Sequence, residues 1–182
     1  NNFIELFLSL TSSVSNIGIS LNQKSTNLSF IFLILVIIGG SFFSTSSGIR
    51  FLKIYSLFKY SINEILSYSR PKNIYINKHL FSKEFFEQNE IYKYFLSIIA
   101  FVISLFFLCA LLSLSGIDFE SSFKLSILTI MNTVNSSMYG LEEFNFYNLS
   151  FFTKYYLILF MIIGRVELLT LLIICKKFLF KN

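Results

Sequence analysis

The chain has 182 residues, 54% of them hydrophobic, with 24 Phe, no Trp, a single Pro and a formal net charge of +5. That composition is too apolar for an ordinary soluble domain and reads as an integral membrane protein. It excludes a disulfide framework, since Cys109 and Cys175 both lie in apolar helical segments where a thiol packs as a small hydrophobe. His79 lacks the partners a metal site needs. No basic segment with a small-residue cleavage site opens the chain, which starts at Asn1, so no signal peptide is expected and the chain reads as a piece of something longer.

Residues 3–11 form a short apolar run, and the polar stretch 12–20 that follows is expected as an extended loop containing Ser15, Asn16, Ile17 and Gly18. Residues 25–49 carry no charge, but only 28–38 are continuously apolar, about half a span. There Gly39-Gly40-Ser41-Phe42-Phe43-Ser44-Thr45-Ser46-Ser47-Gly48 interrupts the helix. Backbone in hydrocarbon must satisfy its own hydrogen bonds, so such a break is tolerated only against protein or a water-filled path. It predicts a gate or a binding site. Residues 51–58 then interleave Phe, Leu, Ile and Tyr with Arg50, Lys53 and Lys59, the pattern of an amphipathic helix that rests on anionic lipid or couples the break to something below it.

Residues 67–90 mix both charges and read as a connector. Residues 94–117 carry no charge and are long enough to span. The run 119–131 is too short to cross, and with Asn132-Thr133-Val134-Asn135-Ser136-Ser137 after it fits a helix that dips into the membrane and returns as extended chain. Residues 155–175 form a third span, interrupted by Arg165 and Glu167. A charge at that depth costs about 2.5–3.5 kcal/mol on insertion scales, so Arg165 should face protein or water, and Glu167, two positions on, points to a different face.

Arg50, Lys53, Lys59, Arg70, Lys72, Lys78 and Lys83 all fall between the first two spans, and Lys176, Lys177 and Lys181 follow the third, which places both regions and the C-terminus in the cytoplasm. Membrane topology thus accounts for the positive charge, and no nucleic-acid partner is required. The two halves also look alike: Phe3, Phe7 and Asn16 recur as Phe119, Phe123 and Asn132 at a constant offset. A short helix, a polar loop and a spanning helix are the pore-loop unit of cation channels, in which backbone carbonyls replace an ion's hydration shell. Gly18 supplies the positive φ such a strand needs, and Asn135, taken as its counterpart, is among the few other residues that reach it. Two ordinary outer loops are the alternative. No paired carboxylates, nucleophile–base set or metal cluster is visible, so no enzyme chemistry is expected.

The chain resembles the Trk/Ktr/HKT superfamily of potassium transporters, most closely the TrkH-type membrane subunit. Residues 38–50 are similar to that family's GGS-x-GST-x-GG-I-K element, and Met161-Ile162-Ile163-Gly164-Arg165-Val166-Glu167-Leu168 to its M-L-L-G-R-L-E-I element; Arg70-Pro71 sits where the family places a basic residue or histidine before proline. The resemblance implies an all-α membrane fold holding the third and fourth of four pore-loop repeats: 1–66 as pore helix, filter loop and broken helix, 67–90 as connector, and 91–182 as a complete second repeat. It implies potassium as transported ion with no cofactor. Ser15, Asn16, Ile17, Gly18, Asn132, Thr133, Val134 and Asn135 would line the filter, Gly39, Gly40, Ser41, Ser44, Thr45, Ser46, Ser47 and Gly48 would form the gate loop, and Arg165 an electrostatic barrier below the filter. Implied partners are membrane lipid, the N-terminal half of the same transporter, a second copy in a homodimer and a cytoplasmic nucleotide-binding regulatory subunit, all in a bacterial inner membrane. The sequence departs from the family at Ser15-Asn16-Ile17, usually Thr-rich, and at Asn135-Ser136-Ser137, usually glycine followed by Pro-Gly. A non-conducting membrane protein with a degenerate filter therefore stands beside the transporter reading.

Overall fold

The computed structural model of the chain describes residues 2–19, 28–39, 49, 51–69, 88–133, 137–141 and 146–165. These residues are helical, with no strand among them. The helices are α1 (Asn2–Val14), α2 (Ser29–Ile38), α3 (Phe51–Ser69), α4 (Gln88–Leu114), α5 (Phe119–Met131) and α6 (Phe151–Arg165), with single 3₁₀ turns at Ser137–Tyr139 and Phe146–Asn148.

Helix α5 lies at the centre, packed on α4, α6 and α2, and every residue from Leu125 to Met131 is buried. Its 13 residues give a length of about 20 Å, short of the roughly 30 Å of a bilayer core. Helix α4 reaches about 40 Å with its 27 residues, and its Asn89–Leu114 stretch is, among the described residues, the one helix long and apolar enough to cross a membrane. It buries Phe101, Leu105, Leu108 and Leu112, a helical repeat of four and three, while Phe95, Ile103, Phe106 and Phe107 stay more than half exposed. The same inversion runs through the molecule: Phe3, Phe30 and Ile162 are exposed, whereas Ser13, Ser122 and Ser126 have no exposed surface at all. Water would penalise so much continuous apolar surface. Lipid, or further apolar protein, would not, and small polar residues between helices are the usual glue of membrane packing.

Most of those buried hydroxyls are satisfied inside their own helices, Ser122 Oγ alone donating to Ile117 O just before α5. In α1, Ser9 Oγ donates to the Glu5 carbonyl at 2.8 Å and Ser13 Oγ to the Ser9 carbonyl at 2.7 Å; in α5, Ser126 Oγ donates to Ser122 and Thr129 Oγ1 to Leu125, both at 2.6 Å. Back-bonding of this kind lets a Ser/Thr-rich segment stay helical away from water. It also explains why α1 continues through Val14, into the stretch expected as loop. Helix α4 likewise differs from its expected span, starting six residues before Tyr94 and stopping at Leu114, because Gly116 takes φ +90° and Ser115 and Gly116 donate back to Leu112 and Ser113. The amphipathic segment runs further than the charges indicated, to Ser69, and Lys53 ties it to α4 through Ser97 Oγ at 3.2 Å. Both helices thus extend into the expected connector, whose residues 70–87 lie outside the described ones. Helix α6 opens with Ser150 as its cap: Ser150 Oγ accepts from the Thr153 N–H at 3.3 Å.

Candidate functional site

The repeat suspected from three residues is a repeat of construction. Helices α1 and α5 end alike, 116 positions apart. Asn16 donates its backbone N–H to Ser13 O at 3.2 Å and Ile17 to Ser12 O at 3.0 Å; Asn132 donates to Thr129 O at 3.1 Å and Thr133 to Leu128 O at 2.9 Å. Both asparagines are left-handed, with φ 58° and 54°, and they are the only non-glycine residues with positive φ among those described. Even the first turns match: Phe3 stacks on Phe7 at 6.4 Å and Phe119 on Phe123 at 6.3 Å. This is the helix-terminating geometry usually given to glycine, where asparagine is the next choice because its short amide tolerates the left-handed region.

Each asparagine side chain then reaches the helix that follows. Asn132 Nδ2 donates to the Met161 carbonyl at 2.9 Å. With its amide oriented so that the nitrogen meets acceptors, Asn16 Nδ2 lies 3.2 Å from the Val36 carbonyl and 3.1 Å from that of Ser13. Val36 and Met161 stand 125 positions apart, and so do Gly39 and Gly164, three residues further on. Both glycines touch the preceding short helix: a Cβ on Gly39 would fall 2.9 Å from Val14 O and 2.8 Å from the Asn16 amide, and one on Gly164 would fall 2.1 Å from Ile130 O. Val14 and Ile130 are again 116 apart. The second repeat therefore differs from the first by nine residues inserted between its loop and its outer helix. Ile37-Ile38-Gly39 and Ile162-Ile163-Gly164 carry this second register in the sequence.

Of the eight residues expected to line a filter, six are described. Ser15 closes α1, donating its N–H to Thr11 O at 3.0 Å and its hydroxyl to the same carbonyl at 2.8 Å. Asn16 and Gly18 are buried and Ile17 exposed, with Gly18 at φ 77°. Ser12, which the sequence does not single out, gathers the segment after α1: its carbonyl accepts from Ile17 and Gly18, and its Oγ accepts from the Ile19 N–H at 2.7 Å. The N–H groups of residues 16–19 are thus all spent on the helix end. Among the described residues no hydrogen bond is accepted by the carbonyls of Ser15 to Gly18.

In the second loop, Asn132 caps α5, and Thr133 is buried with its Oγ1 unpartnered. It borders a mostly apolar cavity of about 390 Å³ between α5 and α6, whose walls include Leu128, Leu157 and Met161. Val134 and Asn135 lie outside the described residues. Carried one step past Thr133, the 116-residue offset sets Val134, not Asn135, opposite Gly18.

The break is described only at its first residue. Helix α2 stops at Ile38, and Gly39 leaves it with φ −53° and ψ 170°. Gly40, Ser41, Ser44, Thr45, Ser46, Ser47 and Gly48 lie outside the described residues, as does Glu167. Arg165 is exposed at the end of α6. In the 125-residue register it is the counterpart of Gly40, so the expected barrier and the start of the expected gate loop occupy the same station of the two repeats. The turn Ser137–Tyr139 ties the halves together: it packs against α2, Ser13 Oγ approaches Met138 Sδ at 4.0 Å, and Tyr139 is fully buried. Burial pushes the Tyr139 phenol up to about 12 against the opposing pull of the nearby Ser13 hydroxyl, which does not reach its oxygen in hydrogen-bond geometry, and no other described residue does. No group of three His, Cys, Asp or Glu among the described residues is placed to hold a metal ion.

No protein-family model and no curated protein matches the chain. Among solved structures it matches the crystal structure of the potassium transporter TrkH from Vibrio parahaemolyticus with a TM-score of 0.81 at 22% sequence identity. The match covers 94% of this chain and 36% of that one, so the chain spans about a third of the transporter's length. The likeness establishes the all-helical fold.

Proposed function

We propose that the chain is part of a potassium-translocating membrane subunit and that its two helix-loop-helix repeats supply two quadrants of an ion filter. The observation that carries this reading is the twofold construction: a short helix ending at a left-handed asparagine, N–H groups after it that turn back to the helix, those of residues 16–19 in the first repeat and of Asn132 and Thr133 in the second, and an outer helix held to it at a glycine. In such a segment the carbonyls are left to face an ion. In this reading the C-terminal ends of α1 and α5 also turn their partial negative charge toward the ion path, which favours a cation. The likeness to a potassium transporter supports the choice of ion.

In this reading Ser15, Asn16, Ile17 and Gly18 form one filter strand and Asn132, Thr133, Val134 and Asn135 another. The stretch Gly39 to Gly48 gates the path below them, and Arg165, at the matching station of the second repeat, sets an electrostatic barrier. The exposed apolar surface is covered by lipid, by the preceding half of the transporter and by a second copy; the basic face of α3 meets the cytoplasm of a bacterial cell and a nucleotide-binding regulatory subunit there. Transport requires no cofactor and no enzymatic step.

A second reading has one observation on its side. In the 116-residue register of the sequence the counterpart of Gly18 is Val134, and since Gly18 has positive φ, which a β-branched side chain adopts only under strain, a strand built alike would be degenerate and the chain non-conducting. Rubidium uptake separates the two in cells lacking their own potassium uptake, with this chain alone and with it joined to the coding sequence preceding Asn1. Uptake suppressed better by potassium than by sodium supports the transporter. Silence from both forms, persisting in Val134→Gly and Asn135→Gly, supports the non-conducting protein.

A further inference from the structure

Asparagine at positions 16 and 132 is conformationally the second choice. Both positions need positive φ, and glycine adopts it without steric cost. What glycine lacks is the amide, and in both repeats that amide donates to a carbonyl of the outer helix, Val36 O in one, where it also reaches Ser13 O of its own helix, and Met161 O in the other. The accepting residue lies three positions before the glycine that touches the end of the short helix. Each loop is therefore fastened to its outer helix at two points about one helical turn apart, a close backbone approach at Gly39 or Gly164 and an amide bond at Val36 or Met161. One contact fixes a distance; two fix an angle as well. In the first repeat the bond also satisfies a carbonyl of the last turn of α2, which leaves its helix at Gly39 and cannot supply all the partners itself.

We propose that Asn16 and Asn132 are positioning residues that act through this side-chain latch, setting how far the first strand residues stand from the outer helix and so the ion preference of the filter. The inference rests on the reading of the two loops as filter strands. Filter carbonyls discriminate between cations by their number, field and spacing, and a site held by locked supporting contacts discriminates better than a loose one. Equal latches in two repeats would keep two quadrants in the same radial register. The asparagines themselves need present no side chain to the ion.

The test exploits the difference between capping and latching. Asn16→Gly and Asn132→Gly keep the left-handed turn and remove the amide; Asn132→Asp keeps the shape and the turn while replacing the donor with an acceptor facing a carbonyl. Two readouts are taken on the full chain. The first is amide hydrogen exchange of segments 12–19 and 128–133 in detergent, which needs no transport. A bond of ordinary net strength, 0.5–1.5 kcal/mol, predicts exchange faster by about 2- to 13-fold in the glycine variants, with segment 91–112 unchanged. The second is rubidium uptake under competition, where the ratio of sodium to potassium needed for half-inhibition should fall at least severalfold in each variant and further in the double variant. Unchanged exchange in Asn132→Gly would overturn the latch. Faster exchange with an unchanged ratio would overturn the link to ion preference and leave a structural cap. If the unmodified chain takes up no rubidium in either form, the filter reading fails and takes the selectivity link with it, while exchange still decides whether the latch holds the loop.

Discussion

Gly164 provides the most stringent check on the packing. An alanine there would put its Cβ 2.1 Å from the Ile130 carbonyl oxygen, 2.9 Å from the carbon and 3.2 Å from Cα. All three are backbone atoms of a helix buried on several sides, so no side chain can swing away. An ordinary contact is about 3.4 Å or more, so α5 and α6 must part by roughly 1 Å. That movement stretches the Asn132 to Met161 bond from 2.9 Å beyond hydrogen-bonding range. Overpacking of this kind costs about 1–3 kcal/mol and the lost bond about 1 kcal/mol, against a gain of about 1 kcal/mol from alanine's better helix propensity. The net is a destabilisation of about 1–3 kcal/mol, toward the upper end because the obstacle is backbone. Thermal unfolding of the purified protein in detergent should show a Tm lower by roughly 3–10 °C. Gly39→Ala meets only 2.8–2.9 Å contacts and should lose less. The reasoning is wrong if Gly164→Ala melts within about 2 °C of the unmodified chain, or if Gly39→Ala is the more damaging of the two.

Tyr139→Phe should leave the Tm unchanged or raise it, because among the described residues the buried hydroxyl it removes has Ser13 near it but no hydrogen bond of good geometry, and an unsatisfied buried group costs about 1–3 kcal/mol; a clear drop would mean that Ser13 holds that oxygen. Phe160, buried and packed against Phe107 at 6.1 Å, should cost about 3 kcal/mol on truncation to alanine, whereas exposed Ile162→Ala should cost under about 0.5 kcal/mol; equal melting shifts would mean that α6 presents a different face. Arg165→Gln should raise rubidium uptake without altering the sodium-to-potassium competition ratio, and a lower uptake would argue for a structural arginine instead. The hydrogen bond and charge of Lys124 hold the Glu120 carboxyl below its ordinary value of 4.5. Its folded pKa being depressed, the stabilisation it gives is present above about 4.5 and is lost as pH falls through the lower folded value. Glu120 is exposed, so the effect is small, and Tm measured against pH should lose this acid-side slope in Glu120→Gln.

Much of the fold was legible because it rests on length and charge. The helix at 119–131 appears with the bounds its apolar run gave, since Asp118 and Asn132 flank it and thirteen residues suit a helix too short to cross. The half-span ending at Gly39 was legible for a related reason, glycine being where a helix stops cheaply. The boundaries that moved did so where polar side chains bond within their own turn. Ser13 and Ser15 look like loop residues in a sequence and behave as helix residues once their hydroxyls donate to carbonyls four positions back. The site was legible only in part. The loops that follow the two short helices could be named, but the amide bonds from Asn16 and Asn132 could not, because they depend on which carbonyl an amide meets across an interface. Their one trace in the sequence is a second offset, 125 against 116, and two registers in one repeat are easy to overlook when a single one is sought.

That second register also bears on why the two repeats end differently. Up to Gly39 and Gly164 they share the left-handed asparagine, the amide bond and the glycine contact; beyond it the next residue is Gly40 in one and Arg165 in the other. Glycine lowers the helical tendency by about 1 kcal/mol relative to alanine, while arginine is close to the best helix formers. Helix α2 has already stopped at Ile38, with Gly39 at ψ 170°, whereas α6 passes through Gly164 and includes Arg165. The two described helix ends thus part at the shared glycine, and the residue after it, Gly40 or Arg165, is the sequence difference to test. If the anchor sets the depth of both, a break and a positive charge fall at one level of the proposed ion path, where a loop can open or close beside a fixed barrier. Gly40→Arg should then extend α2 and suppress rubidium uptake, and Arg165→Gly should shorten α6. Circular dichroism gives the first quantity and uptake the second, and an unchanged helix content in both variants would show that the residue after the anchor does not control the break.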